Sequence, residues 1–223
     1  MPDFAAARET MVQRQIARRG IRDPRILAAF RAVPREAFVP QDVRQLAYED
    51  GPLPIEAGQT ISQPYIVAAM IAAAEIAADA KVLEVGAGSG YAAAVMSRIA
   101  GAVVSVERHL ELAELARERM EALGYRNVRI VGGDGSIGLP REAPFEAILV
   151  AASGSHVPQG LLRQLKVGGI LVMPVGEPDS VQRMLKVTRA AEDEFEREDL
   201  GQVRFVALIG EQGWSRGAGE TCA

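Results

Sequence analysis

Three acidic residues of this chain stand where a parallel-sheet protein holds its ligand. Glu84 lies in the apolar run 81–85, Glu107 closes a second such run, and Asp134 follows a third. Ligands of open parallel sheets sit beyond the carboxyl ends of the strands, so three acids at three strand ends form a candidate site. Gly86, Gly88 and Gly90 fall where a helix should begin, and their missing Cβ atoms let backbone N–H groups approach a ligand at a helix N-terminus. Glu107 lies 21 residues after Gly86, the separation at which a carboxylate can accept both ribose hydroxyls of an adenosine. Asp134, flanked by Gly132, Gly133 and Gly135, is placed to take an adenine amino group while the glycines admit the ring. With Ser89 inside the loop and Arg108 beside Glu107, these residues make a cofactor-binding set. Two plainer readings stand beside it: an exposed Glu107–Arg108 pair, and a simple turn at 132–135.

The glycine spacing narrows the cofactor. A dinucleotide fingerprint, G-x-G-x-x-G, needs its third glycine at position 91, which is Tyr91, so a nicotinamide dehydrogenase is disfavoured. His109 and His156 have no acidic partner or metal-ligand spacing in the sequence, and no metal is expected.

The elements that must position these residues alternate from residue 80 onward. Strands are expected at 81–85, 102–107, 128–132, 145–151, 169–174, 181–189 and 202–209, with helices at 90–100, 110–123 and near 158–165. Such a βαβ series gives an α/β fold: a doubly wound, mostly parallel seven-stranded Rossmann-like sheet, its last two strands pairing as an antiparallel edge. Ahead of it lies an N-terminal helical arm. Residues 4–19 read as a helix stopped by Gly20, and Asp23-Pro24 begins a second helix that ends at Pro34. Residues 35–62, rich in proline and glycine, read as a long loop over the sheet, followed by a helix over 64–77 with Ile66, Val67, Met70 and Ile71 on its buried face. The chain divides as one domain: an arm and cover at 1–79, a cofactor-binding sheet at 80–210 and a flexible tail at 211–223, in which Trp214 is an exposed aromatic or a residue closing over the site.

Composition excludes other classes. With 223 residues and 48% hydrophobic content the chain can bury a full core. A net charge of −4 gives no basic stripe for nucleic acid. A single cysteine, Cys222, permits no internal disulfide, and no apolar run is long enough to span a bilayer, so a cytoplasmic protein that binds neither nucleic acid nor membrane is expected.

The residues also carry a family resemblance. The run VLEVGAGSGY at 82–91, with Glu107, resembles motif I of S-adenosylmethionine-dependent methyltransferases. GQTISQPY at 58–65, VPREAFVP at 33–40, GDG at 133–135, QLKVGGILVMPVG at 164–176 and VRFVAL at 203–208 narrow the likeness to the protein-L-isoaspartate O-methyltransferases, over nearly the whole chain from Met11 to Leu208. The resemblance implies S-adenosyl-L-methionine as cofactor, S-adenosyl-L-homocysteine as product, and isoaspartyl proteins and peptides as partners; a monomer is expected. It makes Ser62 the active-site residue, with Gln59, Thr60 and Ile61 lining the cleft; without it, Ser62 reads as the N-cap of the helix beginning at Pro64. Ala207 stands where the resemblance implies a proline. The alternatives are a methyltransferase for a dedicated peptide client and a non-catalytic cofactor-binding module.

Overall fold

A computed structural model describes residues 3–215; Cys222 and the end of the tail lie outside the described residues. Helix α1 (Phe4–Met11) starts where the Asp3 carboxylate accepts the Ala6 N–H at 3.0 Å, and a π-helical and a 3₁₀ turn carry it on to Gly20, whose φ of 100° ends it. Helix α2 (Pro24–Ala32) uses Asp23 as N-cap and Pro24 as its first residue, and stops where Val33 turns extended before Pro34. The expected loop 35–62 is built of three 3₁₀ turns and a small ribbon, β1 (Leu53–Pro54) pairing antiparallel with β2 (Thr60–Ile61). Helix α3 (Pro64–Ala73) is shorter than the expected 64–77. It buries Val67, Met70 and Ile71 and leaves Ile66 half-buried.

The main sheet has seven strands: β3 (Lys81–Val85), β4 (Ala102–Glu107), β5 (Val128–Gly132), β6 (Phe145–Val150), β7 (Leu165–Val175), β8 (Gln182–Ala191) and β9 (Glu194–Val203). Their order is β5-β4-β3-β6-β7-β8-β9, parallel from β5 to β7 and antiparallel from β7 to β9. The chain winds outward from β3 through β4 to β5, then crosses to β6, so the strand order reverses at the β3–β6 seam. That seam is the crevice where an open α/β sheet binds ligands. Val85 pairs with both Val106 and Val150, so the carboxyl ends of β3, β4 and β6 are level and form one rim.

Alternation along the strands divides the core. Val82 packs with the arm helices, α4 (Tyr91–Met96) and α5 (Leu110–Ala122), whereas Leu83 and Val85 pack on the other face with α6 (Gln159–Arg163). The ring of Tyr91 ties the arm to the sheet, its centroid 5.6 Å from that of Phe38 and 6.2 Å from that of Phe30.

One strand departs from expectation. The last strand runs over Glu194–Val203 and not 202–209; residues 204–209 leave the sheet edge and return to the rim, where Ala207 forms an isolated parallel bridge with Ser153. A strand reading EFERED is legible only as polar chain, yet an edge strand tolerates charge on both faces because one side meets water.

Candidate active site

A cleft opens at the level ends of β3, β4 and β6, with an empty space of about 870 Å³, its open mouth included. Its floor is the glycine loop. Gly86 N–H donates to Val106 O at 2.8 Å, which bends the chain off β3 toward β4. Gly90, at φ 89°, turns it into α4 with the position of a Cβ only 2.8 Å from Met120 Cε, so the loop lies tightly against α5.

Glu107 holds this loop from the end of β4. It is 5% exposed, one carboxylate oxygen accepting the Gly88 N–H at 2.8 Å and the other the His109 N–H at 2.9 Å. Each oxygen keeps a lone pair for a ligand hydroxyl. The exposed Glu107–Arg108 pair is absent among the described ion pairs; Arg108 also lines the cleft, its Nη2 3.1 Å from His109 Nε2. Glu84 faces the cleft from within β3 and is 2% exposed. Burial pushes its carboxyl up to about 8, against the hydrogen bond from Ser105 Oγ and with the nearby charge of Glu107 adding to the rise. A carboxyl held in that state is neutral near pH 7 and ready to ionise when a cation arrives.

The cover comes from the loop before α3. Gln59, Thr60, Ile61 and Ser62 all line the cleft, together with the loop residues Gly86, Gly88 and Ser89. Glu56 pairs with Arg119 of α5 at 2.7 Å, and Arg119 also reaches Ser89 O, so cover, glycine loop and α5 are joined. Ser62 is not the N-cap of α3; Gln63 occupies that position. Among the described residues no group hydrogen-bonds the Ser62 hydroxyl, and Ser62 lines both the cleft and a second groove beside it, walled by Pro52, Ile66, Val181 and Phe205.

Gly135 lines the cleft, whereas Asp134, expected at the adenine, lines a neighbouring depression. One carboxylate oxygen of Asp134 accepts Ser136 N–H at 2.8 Å and Ser136 Oγ–H at 2.7 Å, the other Glu211 N–H at 2.8 Å. Burial alone would raise its pKa, and the hydrogen bonds from Glu211 and Ser136 overcome that and hold it below the usual carboxylate range. The start of the expected flexible tail is therefore fastened: Gln212 N–H donates to Ser136 Oγ at 3.0 Å and the half-buried Trp214 donates its Nε1–H to Ser153 O at 3.0 Å.

Two further segments line the cleft: Ala151 and Ala152 directly follow the end of β6, and Val206 to Ile209, which include Ala207 of the VRFVAL run, reach it because the chain after β9 folds back to the rim. His109 lines the cleft at the start of α5, whereas exposed His156 contacts Ser155 Oγ at 2.9 Å. Among the described residues no cluster of three or more His, Cys, Asp or Glu is arranged to hold a metal.

Residues 6–213 match the family described as protein-L-isoaspartate(D-aspartate) O-methyltransferase. The chain belongs to this methyltransferase family. It is 57% identical over 217 residues, 97% of its length and 89% of the relative's, to protein-L-isoaspartate O-methyltransferase 1 of Rhodopseudomonas palustris strain HaA2. It is 58% identical over 93% of its length to protein-L-isoaspartate O-methyltransferase 2 of Pelobacter propionicus, covering 92% of that protein. A solved protein-L-isoaspartate O-methyltransferase superposes with TM-score 0.85 at 31% identity, over 92% of this chain and 67% of the other. A Plasmodium falciparum protein described as a β-aspartate methyltransferase and solved with S-adenosyl-L-homocysteine superposes with TM-score 0.78 at 25% identity, over 91% of this chain and 98% of the other. The likeness to these methyltransferases extends over the cover and arm as well as the sheet.

Proposed function

We propose that this chain transfers a methyl group from S-adenosyl-L-methionine to the α-carboxylate of L-isoaspartyl residues in damaged proteins and peptides. The family membership carries this reading, and relatives more than half identical bear the same activity in their names. The site residues fit the cofactor. The lone pairs of Glu107 suit ribose hydroxyls, the Gly86–Gly90 loop leaves room for close backbone approach, and the ionisable Glu84 suits a cationic amino acid portion. When bound, the cofactor supplies an electrophilic methyl carbon and takes up the electron pair of the breaking carbon–sulfur bond.

The acceptor asks little of the protein. An α-carboxylate is ionised well below neutrality and attacks without a general base. What remains is to exclude water and to align the carboxylate oxygen with the methyl carbon. Ser62 stands where cleft and groove meet, and its free hydroxyl donates to the acceptor carboxylate. The methyl ester then loses methanol as the neighbouring peptide nitrogen closes a succinimide, whose hydrolysis returns part of the product to normal aspartate. In this reading residues 1–79 form the arm and cover and 80–210 the cofactor-binding sheet. The net charge of −4 favours peptide over nucleic acid clients, and no helix among the described residues is long and apolar enough to cross a membrane. A cytoplasmic monomer completes the proposal.

Ser62→Ala tests the assignment of the acceptor site. Transfer to an isoaspartyl peptide should fall roughly tenfold or more while S-adenosyl-L-homocysteine affinity holds. Undiminished turnover would remove Ser62 from the mechanism.

A further inference from the structure

Arg35 is the largest side chain in the protein's fully buried interior, 0% exposed, and among the described residues no carboxylate pairs with it. Burying a cation without a counter-ion is costly, and an apolar side chain of similar volume would fill the space without that cost. The guanidinium's three contacts indicate what is gained. Its Nε–H donates to Ala47 O at 2.7 Å, its Nη2–H donates to Ser62 O at 2.9 Å, and its Cζ lies over the ring of Tyr91, 4.7 Å from the centroid. Tyr91 is the first residue of α4, immediately after the glycine loop. One rigid fork thus joins the arm, the cover and the start of the helix that carries the cofactor loop.

We propose that Arg35 is a positioning residue for the transfer reaction, fixing the Ser62 peptide against α4 so that the Ser62 hydroxyl meets the acceptor carboxylate at the cofactor's reactive end. This rests on the role of Ser62 given above. Among the described residues no group orients the hydroxyl, so its direction is set by the backbone of residue 62, and a side-chain bond to that backbone comes from Arg35. Phe30 and Phe38 pack edge-to-face with the Tyr91 ring, which restrains the ring that the guanidinium contacts. A lysine keeps the charge but not the planar fork, so it lacks donors fixed in two directions and the flat face that a guanidinium presents. Arg35 touches neither cleft nor groove as a lining residue, so it acts through Ser62 and not on substrate.

The test is a double-mutant comparison in the full chain, with Arg35→Lys, Ser62→Ala and the two together. Each is assayed for S-adenosyl-L-homocysteine affinity by calorimetry and for kcat and KM with an isoaspartyl peptide. Arg35→Lys should hold cofactor affinity within about twofold and lower kcat roughly tenfold, a loss of the size expected when a reacting group is misplaced by a fraction of an ångström. In the Ser62→Ala background the same substitution should change kcat by less than about twofold, since no hydroxyl is left to misplace. An unchanged kcat in Arg35→Lys, or an equal loss in both backgrounds, would overturn the inference while leaving the role of Ser62 standing. Full turnover in Ser62→Ala would overturn that role, and this inference with it. If circular dichroism finds Arg35→Lys unfolded, Arg35→Gln, which keeps an N–H donor for Ser62 O, decides by the same comparison.

Discussion

The carboxylate of Glu107, at the end of β4, accepts the N–H of Gly88 at 2.8 Å and so clamps the middle of the glycine loop from the neighbouring strand. A residue expected only to bind the ribose therefore also shapes the loop beneath it. Glu107→Gln replaces one accepting oxygen by an amide that faces an N–H donor. Losing a charged hydrogen bond of this kind costs about 1.5 to 3 kcal/mol, so S-adenosyl-L-homocysteine affinity should fall roughly tenfold to a hundredfold in calorimetry. An unchanged affinity would exclude Glu107 from the cofactor site.

Glu84 makes the stability of the ligand-free protein fall with pH. Its ordinary value of 4.5 is raised by burial to about 8 in the folded state. Between those values the folded chain holds a proton that the unfolded chain has released. The stability this group contributes is therefore fully present below about pH 4.5 and is lost as pH rises through about 8. Glu84→Gln removes that loss. Thermal unfolding from pH 5 to 9 should show the wild type declining relative to the variant by about 1 kcal/mol or more; parallel curves would contradict the assignment. Binding of the cationic cofactor should also release a proton near pH 7, measured by calorimetry in two buffers of different ionisation enthalpy.

Much of the site was legible because strand periodicity is local. Val82, Leu83 and Val85 read as a buried strand, Gly86 to Gly90 as the turn after it, and Glu107 as the acid one strand further on. Three features escaped for physical reasons. β9 is a charged edge strand with Glu194, Glu196, Glu198 and Asp199 along it, so it lacks the apolar alternation by which strands are recognised. Beside the local bonds from Ser136, Asp134 accepts the N–H of Glu211, 77 residues away, and no local pattern encodes such a contact. Arg35 carries no signal of its own within VPREAFVP, because charge in a sequence implies exposure until the fold supplies Ala47 O, Ser62 O and the Tyr91 ring.

Gly90 is the loop glycine least able to accept a side chain. Its φ is 89°, and an added Cβ would lie 2.8 Å from Met120 Cε. Gly90→Ala should destabilise the protein by about 1 to 2 kcal/mol from the left-handed backbone alone, with a lowered Tm, and weaken cofactor binding as Met120 is displaced. A variant that matches the wild type in both would show the loop to be more plastic than its packing implies.

Ala207 departs from the proline that the family resemblance implies, yet the wall it belongs to is held by its neighbours. Ser153 N–H donates to Val206 O at 2.7 Å and Leu208 N–H donates to Ser153 O at 2.7 Å, so the bridge makes no use of the Ala207 N–H. Ala207→Pro breaks no bond of that bridge and should leave Tm unchanged or raise stability by about 0.4 to 1 kcal/mol. A marked loss of stability would mean that the backbone at 207 is incompatible with proline.

Transfer of labelled methyl from S-adenosyl-L-methionine to a short peptide containing L-isoaspartate, beside the same peptide with normal aspartate, tests the central claim most directly. The account predicts base-labile label on the isoaspartyl peptide alone. Binding of the cofactor with transfer to neither peptide, or equal transfer to both, would contradict it.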